Sequence, residues 1–294
     1  MLPLSSPKKV ISLLPGTRKS EMLEVTGISC HGEPPMTIRI VTFNLRFEND
    51  SDGLNGWSYR RRSVARLINE QAPSILGTQE GKRSQLSYLQ EKLPAYSMHT
   101  PDRIMDDVSQ CPTLFIKKDD LEVLEGKELW LSKTPGIHLS KDWDSAFPRM
   151  MSYAKLRHKK TGTYLWVVVT HLDHIGLEAR FNQATIIADW AKKRKGPVIL
   201  MGDFNDNPGS PVHEILTAQD TTLRDTWQIL KRKENQDSFT NHGFDGIPQK
   251  TRMDWILVSP HFHVTGASII RDNVAGRYPS DHFPYCVDLE WEKS

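Results

Sequence analysis

In the stretch VILMGDFNDNP, residues 198–208, four apolar residues lead straight into Asp203, Asn205 and Asp206 before a proline ends the run. Other apolar segments carry the same kind of group at one end. Asn44 closes IRIVTFN, Glu80 closes SILGTQE, and His171 closes TYLWVVVTH with Asp173 two residues later. Asp254 opens MDWILVS, and Asp281 and His282 precede FPYCVDL. If these strand ends converge, they build one polar pit on a rigid floor.

Taken singly, each group has a plain explanation. A strand-end Asp or Asn usually forms a turn. A lone His171 is more often a hydrogen-bonded structural histidine, and Arg149 after Pro148 is more often solvated or salt-bridged. Recurrence changes the weighting, because turn formation does not require Asp-x-Asn, Gln-Glu and Ser-Asp-His-Phe-Pro in one chain. Together the residues suit phosphoester hydrolysis. Hard oxygen ligands such as Glu80, with Asn44 or Asp281 nearby, suit Mg²⁺ or Mn²⁺, whereas zinc would favour His and Cys. Such an ion neutralises phosphate oxygens and a leaving alkoxide. Asp203 is suited to orient or deprotonate water, with Asn205 fixing its position. Asp254 paired with His282 would set the imidazole tautomer and hold charge against a phosphoryl oxygen. Arg149 could fork onto a phosphate.

The elements that must position these groups can be read from periodicity. Strands are expected at MTIRIVTFNLRF, SILGTQE, TLFIKK, LEVLEGKELWL, MSYAKLRH, TYLWVVVTHL, PVILMGDFN, MDWILVS, HVTGASIIR and HFPYCVDLEW. In WSYRRRSVARLINEQ, Trp57, Val64, Leu67 and Ile68 share a helical face. Ala184, Ile187, Ala188 and Ala191 do the same in EARFNQATIIADWAKK. A third helix opens with Ser210 as N-cap and Pro211 at its first position. Strands outnumber helices and often follow one another as hairpins. That pattern fits an α/β (α+β) fold of two packed β-sheets with helices outside, and does not fit a barrel or doubly wound sheet. Residues 1–35 lack periodicity and read as a mobile N-terminal tail. Residues 36–294 read as one domain.

Bulk properties narrow the field. The chain has 294 residues and a formal net charge of +2, so no strongly basic coat for nucleic acid is expected. Its three cysteines, Cys30, Cys111 and Cys286, have no metal-type spacing and read as reduced thiols. Cytoplasm is therefore the expected compartment, with the nucleus as an alternative. A mitochondrial address is less favoured, since prolines interrupt the acid-poor N-terminus. No stretch approaches the roughly 18 apolar residues of a membrane span. No obligate protein partner is inferred.

The stretches TFNLR, TQE, THLDH, GDFNDNP, RMDWILVS and YPSDHFP, in this order, resemble the endonuclease/exonuclease/phosphatase superfamily. The resemblance implies a four-layer sandwich, two packed mixed β-sheets flanked by helices, and a divalent-metal phosphoesterase site. It carries metal binding to Asn44, Glu80 and Asp281, nucleophile positioning to Asp203 and Asn205, and the Asp–His pair to Asp254 and His282. His171 resembles a second histidine of the deoxyribonuclease, sphingomyelinase and deadenylase branches. The division of work among His171, Asp203 and His282 stays open.

Within the superfamily, GDFNDNPGSPVHEIL is similar to the carbon-catabolite-repressor deadenylase branch. Inositol-polyphosphate phosphatases carry Cys-Asp-Arg where Arg252-Met253-Asp254 stand here. Compact hydrolases of the superfamily share DGLNGW, WD-A-PR and GRYPSDHFP with residues 52–57, 143–149 and 276–284. They usually have Gly-Glu and PIFYR where Val108-Ser109-Gln110-Cys111 and the following strand stand, which leaves substrate preference open. The leading expectation is a Mg²⁺-dependent phosphodiesterase on nucleic acid, a 3′-to-5′ exoribonuclease, with His171, Asn205 and Arg149 touching substrate. The alternative is a phosphoesterase of sugar, inositol or lipid-headgroup phosphates, which the small net charge favours. A non-catalytic binding module is the third reading.

Overall fold

The strand β1 (Thr37–Asn44) is rich in β-branched residues, which are stiff at χ1 and favour extended backbone. Its last five residues are all buried, as expected of a strand covered on both faces. The computed structural model describes residues 37–291, and the tail reading of residues 1–35 falls outside them. β1 lies inside a six-stranded sheet ordered β11 (Phe262–Ile269), β12 (Tyr285–Trp291), β1, β2 (Ile75–Gly81), β4 (Cys111–Lys117), β3 (Tyr96–His99). A second six-stranded sheet is ordered β5 (Leu121–Trp130), β6 (Met150–His158), β7 (Tyr164–His171), β8 (Val198–Asp203), β10 (Asp254–Val258), β9 (Arg224–Asp225). Both are mixed: β1–β2 and β7–β8 are parallel, and the other pairs are antiparallel.

The sheets face each other through Ile40, Leu114, Val167, Met201, Ile256 and Val287. Each such side chain contributes about 1.5–3 kcal/mol when taken fully out of water. The helices α1 (Trp57–Gln71) and α2 (Arg83–Lys92) cover the outer face of the first sheet, where Val64, Leu67, Ile68, Leu86 and Leu89 meet Val41, Leu76 and Phe115. On the second sheet, α3 (Leu177–Lys192) lays Ala184, Ile187, Ala188 and Ala191 against Val168, Leu200 and Trp255. The short α4 (Pro211–Leu216) adds Val212 and Leu216 to that layer. Ser210 caps α4 by accepting the His213 N–H, and α5 (Thr226–Ile229) follows β9. The result is the expected four-layer sandwich. Among the described residues no helix is long and apolar enough to cross a membrane.

One glycine is required by the packing of the strand that carries Asp203. A Cβ on Gly202 would lie 2.2 Å from the Thr170 carbonyl oxygen on the neighbouring strand. That contact is with backbone, so relief requires β7 and β8 to separate. Gly202→Ala is expected to destabilise the fold by on the order of 3 kcal/mol, the upper range for overpacking. Thermal melting checks this. A wild-type melting temperature would show that the strand pair yields without cost.

Candidate active site

Strand register brings the first three groups together. β7 pairs with β8 so that His171 sits opposite Asp203, and β10 pairs with β8 so that Asp254 also sits opposite Asp203. Three adjacent strands therefore end on His171, Asp203 and Asp254 in a row. On the facing sheet, Asn44 at the end of β1 pairs with Gln79 on β2. The two ends meet directly, since Asn44 Nδ2 donates to Asp203 Oδ2 at 2.9 Å and to Glu80 Oε1 at 3.2 Å.

Glu80 owes its direction to a local irregularity. The β2–β4 register shifts between Thr78 and Gly81, and Glu80 takes a left-handed φ of 63°. A bulge re-aims a side chain that a regular strand would send to the other face. A non-glycine residue in this region is strained and persists where surrounding contacts hold it. Here the Phe47 N–H donates to Glu80 Oε2 at 2.9 Å. Asn205 is also left-handed, at φ 51°, and its N–H bonds Asp203 Oδ1 at 2.9 Å. Its Nδ2 donates to the Leu172 carbonyl at 3.0 Å and to His171 Nε2 at 2.9 Å. His171 thus accepts at Nε2, which leaves its buried Nδ1 without a partner.

His282 Nδ1 bonds Asp254 Oδ2 at 2.8 Å, and His282 Nε2 points toward Asp203 Oδ2 at 3.9 Å. The buried Thr240 aligns this pair: its hydroxyl oxygen accepts the Met253 and Asp254 N–H groups, and its carbonyl accepts the Phe283 N–H. Asp281 lies beside Asn44, joined to it through Ser280. Ser280 Oγ donates to the Asn44 carbonyl at 2.6 Å and to Asp281 Oδ1 at 3.2 Å, while Arg46 approaches Asp281 Oδ2 at 3.9 Å.

Charge is distributed unevenly across this network. Burial pushes the Asp203 carboxyl up, the nearby Asp254 adds to it, and the group reaches about 7. Burial opposes a positive His282, but the Asp254 charge and hydrogen bond, with Asp203 and Asp281, outweigh it and push the imidazole up to about 10. His171 moves the other way: burial first, then Arg149, His282 and His174, hold it well below the usual histidine range. The site therefore holds one neutral and one charged imidazole flanking a carboxylate that retains protons far above the ordinary range. Environments that push titratable groups apart are what acid–base work requires.

Arg149 is buried behind the row of strand ends. Its Nε approaches Asp173 Oδ2 at 3.6 Å without a hydrogen bond, and Nη2 meets His174 Nδ1 at 3.2 Å. Burial draws its guanidinium down, opposed by the charges of Asp173, Glu80 and Asp203. Asp173, which the sequence places beside His171 without a role, is a supporting residue. It accepts N–H groups from Ala146, Phe147, Ile175 and Gly176, fixing the loop that carries Arg149. Its position two residues past His171 looks like an ordinary turn. Arg60 was hidden: it donates to the Leu45, Arg46 and Pro279 carbonyls, pinning the segment after Asn44 to the segment before Asp281. Its place three residues after Trp57, on the buried face of α1, was the available signal.

The donor set fits a hard divalent ion. Glu80 and Asp281 offer carboxylate oxygens with lone pairs to spare, and Asn44 Oδ1 receives only the Arg46 N–H at 2.9 Å. Asp203, Asp254 and His282 also have ligand atoms within 4.8 Å of one another, a group that could bind a metal. The hydrogen bond already joining His282 to Asp254 suits that group better to proton handling.

Carboxylate and amide oxygens, an Asp–His pair and an arginine at the end of a two-sheet sandwich are the groups that a metal-assisted phosphoester hydrolase would use. The chain belongs to the Endonuclease/Exonuclease/phosphatase family, which it matches over residues 41–282. Members of this family hydrolyse phosphoester bonds and depend on divalent metal. The structure is similar to the endonuclease/exonuclease/phosphatase from Bacteroides vulgatus, with 32% identity and a TM-score of 0.81 over 87% of this chain and 100% of that one. It is similar to the Bacteroides thetaiotaomicron mannosyl-6-phosphatase, with 29% identity and a TM-score of 0.77 over 86% and 100% of the two chains. The human Nocturnin catalytic domain shares the fold at 21% identity, with a TM-score of 0.67 over 87% and 94%. None of the curated proteins compared matches the chain.

Proposed function

We propose that this chain is a Mg²⁺- or Mn²⁺-dependent hydrolase of small phosphomonoesters. The observation that carries the reading is the position of Asp203, within hydrogen-bond distance of Asn44 on one side and beside His171 and His282 on the other. Asn44, Glu80 and Asp281 would hold the ion, which when bound neutralises phosphoryl and leaving-group oxygens. Asp203 takes a proton from the attacking water, and Asn205, anchored by its amide on the neutral His171, holds that water in line. His282 donates from Nε2 to a phosphoryl oxygen while Asp254 holds Nδ1. Arg149 receives the remaining phosphate oxygens.

Two features favour a small substrate over the exoribonuclease reading. A nucleic-acid backbone calls for free cations along its path. Among the described residues, Arg46 is tied to Asp52 at 2.8 Å and Arg180 to Asp206 at 3.0 Å, which leaves Arg149 to meet a single phosphate. The likeness to a mannosyl-6-phosphatase supports the same class, whereas the Nocturnin likeness speaks to fold alone.

Release of inorganic phosphate from a panel of sugar and inositol phosphates, set beside mononucleotide release from labelled RNA, tests this. Activity is expected on the panel, abolished by chelator. Faster release from RNA would reinstate the nuclease. No hydrolysis of either, with added Mg²⁺ or Mn²⁺, would leave a binding module. Glu80→Gln keeps the shape but removes the anionic ligand, so half-maximal activity should need at least about tenfold more Mg²⁺. An unchanged metal titration would remove Glu80 from the ion site.

A further inference from the structure

A cavity of about 270 Å³ opens beside Arg149, walled by residues 108–111, Trp130, Leu139 and residues 147–149. Its walls are fixed to the catalytic framework. Cys111 pairs with Gly81, the residue after Glu80, and the Leu131 N–H bonds the Arg149 carbonyl at 2.7 Å. The 108–111 wall is pinned from below, since Asp106 accepts the Val108 N–H and both the N–H and hydroxyl of Ser109. Phe147 is held by its stack on His174, with ring centroids 5.7 Å apart and planes 18° from parallel.

We propose that this cavity receives the leaving alcohol of the substrate, and that the alcohol is a neutral hydroxylated ring joined to the phosphate within one or two bonds. This rests on the phosphomonoesterase reading and adds the class of alcohol. Among the described residues lining the cavity, Arg149 is the one charged group, and its buried Nε has no hydrogen-bond partner. One phosphate therefore belongs at the Arg149 end, and nothing else in the cavity matches a second. Trp130 and Phe147 offer the apolar faces that the C–H face of a polyol ring covers, while Gln110 offers an amide to its hydroxyls. Because Arg149 itself lines the cavity, the ring must begin close to the ester oxygen. The ribose of a nucleotide would begin equally close, so what sets a nucleotide apart is the base it carries one ring further out.

The test compares kcat/KM for glucose 6-phosphate, myo-inositol 1-phosphate, glycerol 3-phosphate and AMP in the wild type, Phe147→Ala and Gln110→Ala. Phe147 is 53% exposed, so its truncation should leave the fold intact, and melting temperatures verify this. The wild type should prefer one of the two ring phosphates over glycerol 3-phosphate. Each variant should cut that preference by about tenfold, the effect of losing one well-packed contact. The ring that loses more identifies the source, hexose or cyclitol. Equal losses on ring and ringless substrates, or preference for AMP, would overturn the pocket while leaving the phosphomonoesterase standing. Hydrolysis of none of the four by the folded wild type with Mg²⁺ or Mn²⁺ would overturn both. Calorimetric binding of glucose 6-phosphate and myo-inositol 1-phosphate to Asp203→Asn gives an independent reading. Binding of one of them, weakened about tenfold by adding Phe147→Ala, supports the pocket, and unweakened binding overturns it.

Discussion

Asp203→Asn is expected to lower turnover by at least about 1000-fold while leaving the melting temperature near that of the wild type. The size follows from loss of a preorganised charged group at the reacting centre, where the neighbouring Asp254 is committed to His282. Asp203 receives the Asn205 N–H on one oxygen and the Asn44 amide on the other, so it is held from both sheets. Misplacing such a group by about 1 Å can cost on the order of 100-fold even when its chemistry survives. Stability should not follow activity. Burial already disfavours the Asp203 charge, so a neutral amide of the same shape removes a buried anion. One conflict is introduced, because the new amide must turn its oxygen toward either Asn205 or Asn44. Steady-state turnover and a melting curve on the same preparation check both statements. Retention of more than a tenth of wild-type activity would rule out the assigned role.

His282 and Asp254 should behave as one unit. His282→Ala removes the donor to the phosphoryl oxygen, and a loss of about 1000-fold is expected. Asp254→Asn keeps the shape but can hold the imidazole in the wrong tautomer, and should cost nearly as much. The 2.8 Å bond between His282 Nδ1 and Asp254 Oδ2 is the structural basis for coupling. Removing the second partner after the first should then change little, since groups working together are not additive. The bland alternative is that Asp254 only opens β10 and His282 only packs beside Phe283. In that case each substitution lowers stability, and the rate losses add. A double-mutant cycle on turnover, recorded with melting temperatures, separates the two. Additive rate losses that track the melting temperature would sink the pairing.

Much of this candidate site was legible in the sequence alone. An apolar strand that ends on Asp203 and Asn205 announces itself, because buried strands are written as local runs of Val, Ile and Leu. The same holds for α1 and α3, whose buried residues repeat along one helical face, and for α4, whose start is marked by Ser210 and Pro211. The helix α2 was not legible. Its buried residues are Gln85, Leu86 and Leu89, and Gln85 is buried because it accepts the Lys82 and Glu48 N–H groups and donates to the Arg46 carbonyl. A polar residue recruited to tie loops together weakens the apolar period. The strands β3 and β9 span only four and two residues, too short to show alternation.

The sequence by itself determined which chemical groups sit at strand ends, and in what order, because those are properties of short segments. Tertiary structure decided which of them touch. The alignment of His171, Asp203 and Asp254 depends on the β7–β8–β10 register, which is set by pairing between segments far apart in the chain. Glu80 faces the site only through its bulge, and Asn44 reaches Asp203 only because two sheets pack at one end. The cavity beside Arg149 sets residues 108–111 against residues 147–149, and the latter are held by Asp173 on a third segment. Such contacts arise from long-range packing and from backbone N–H groups that must find acceptors when buried, and neither requirement leaves a local period to read.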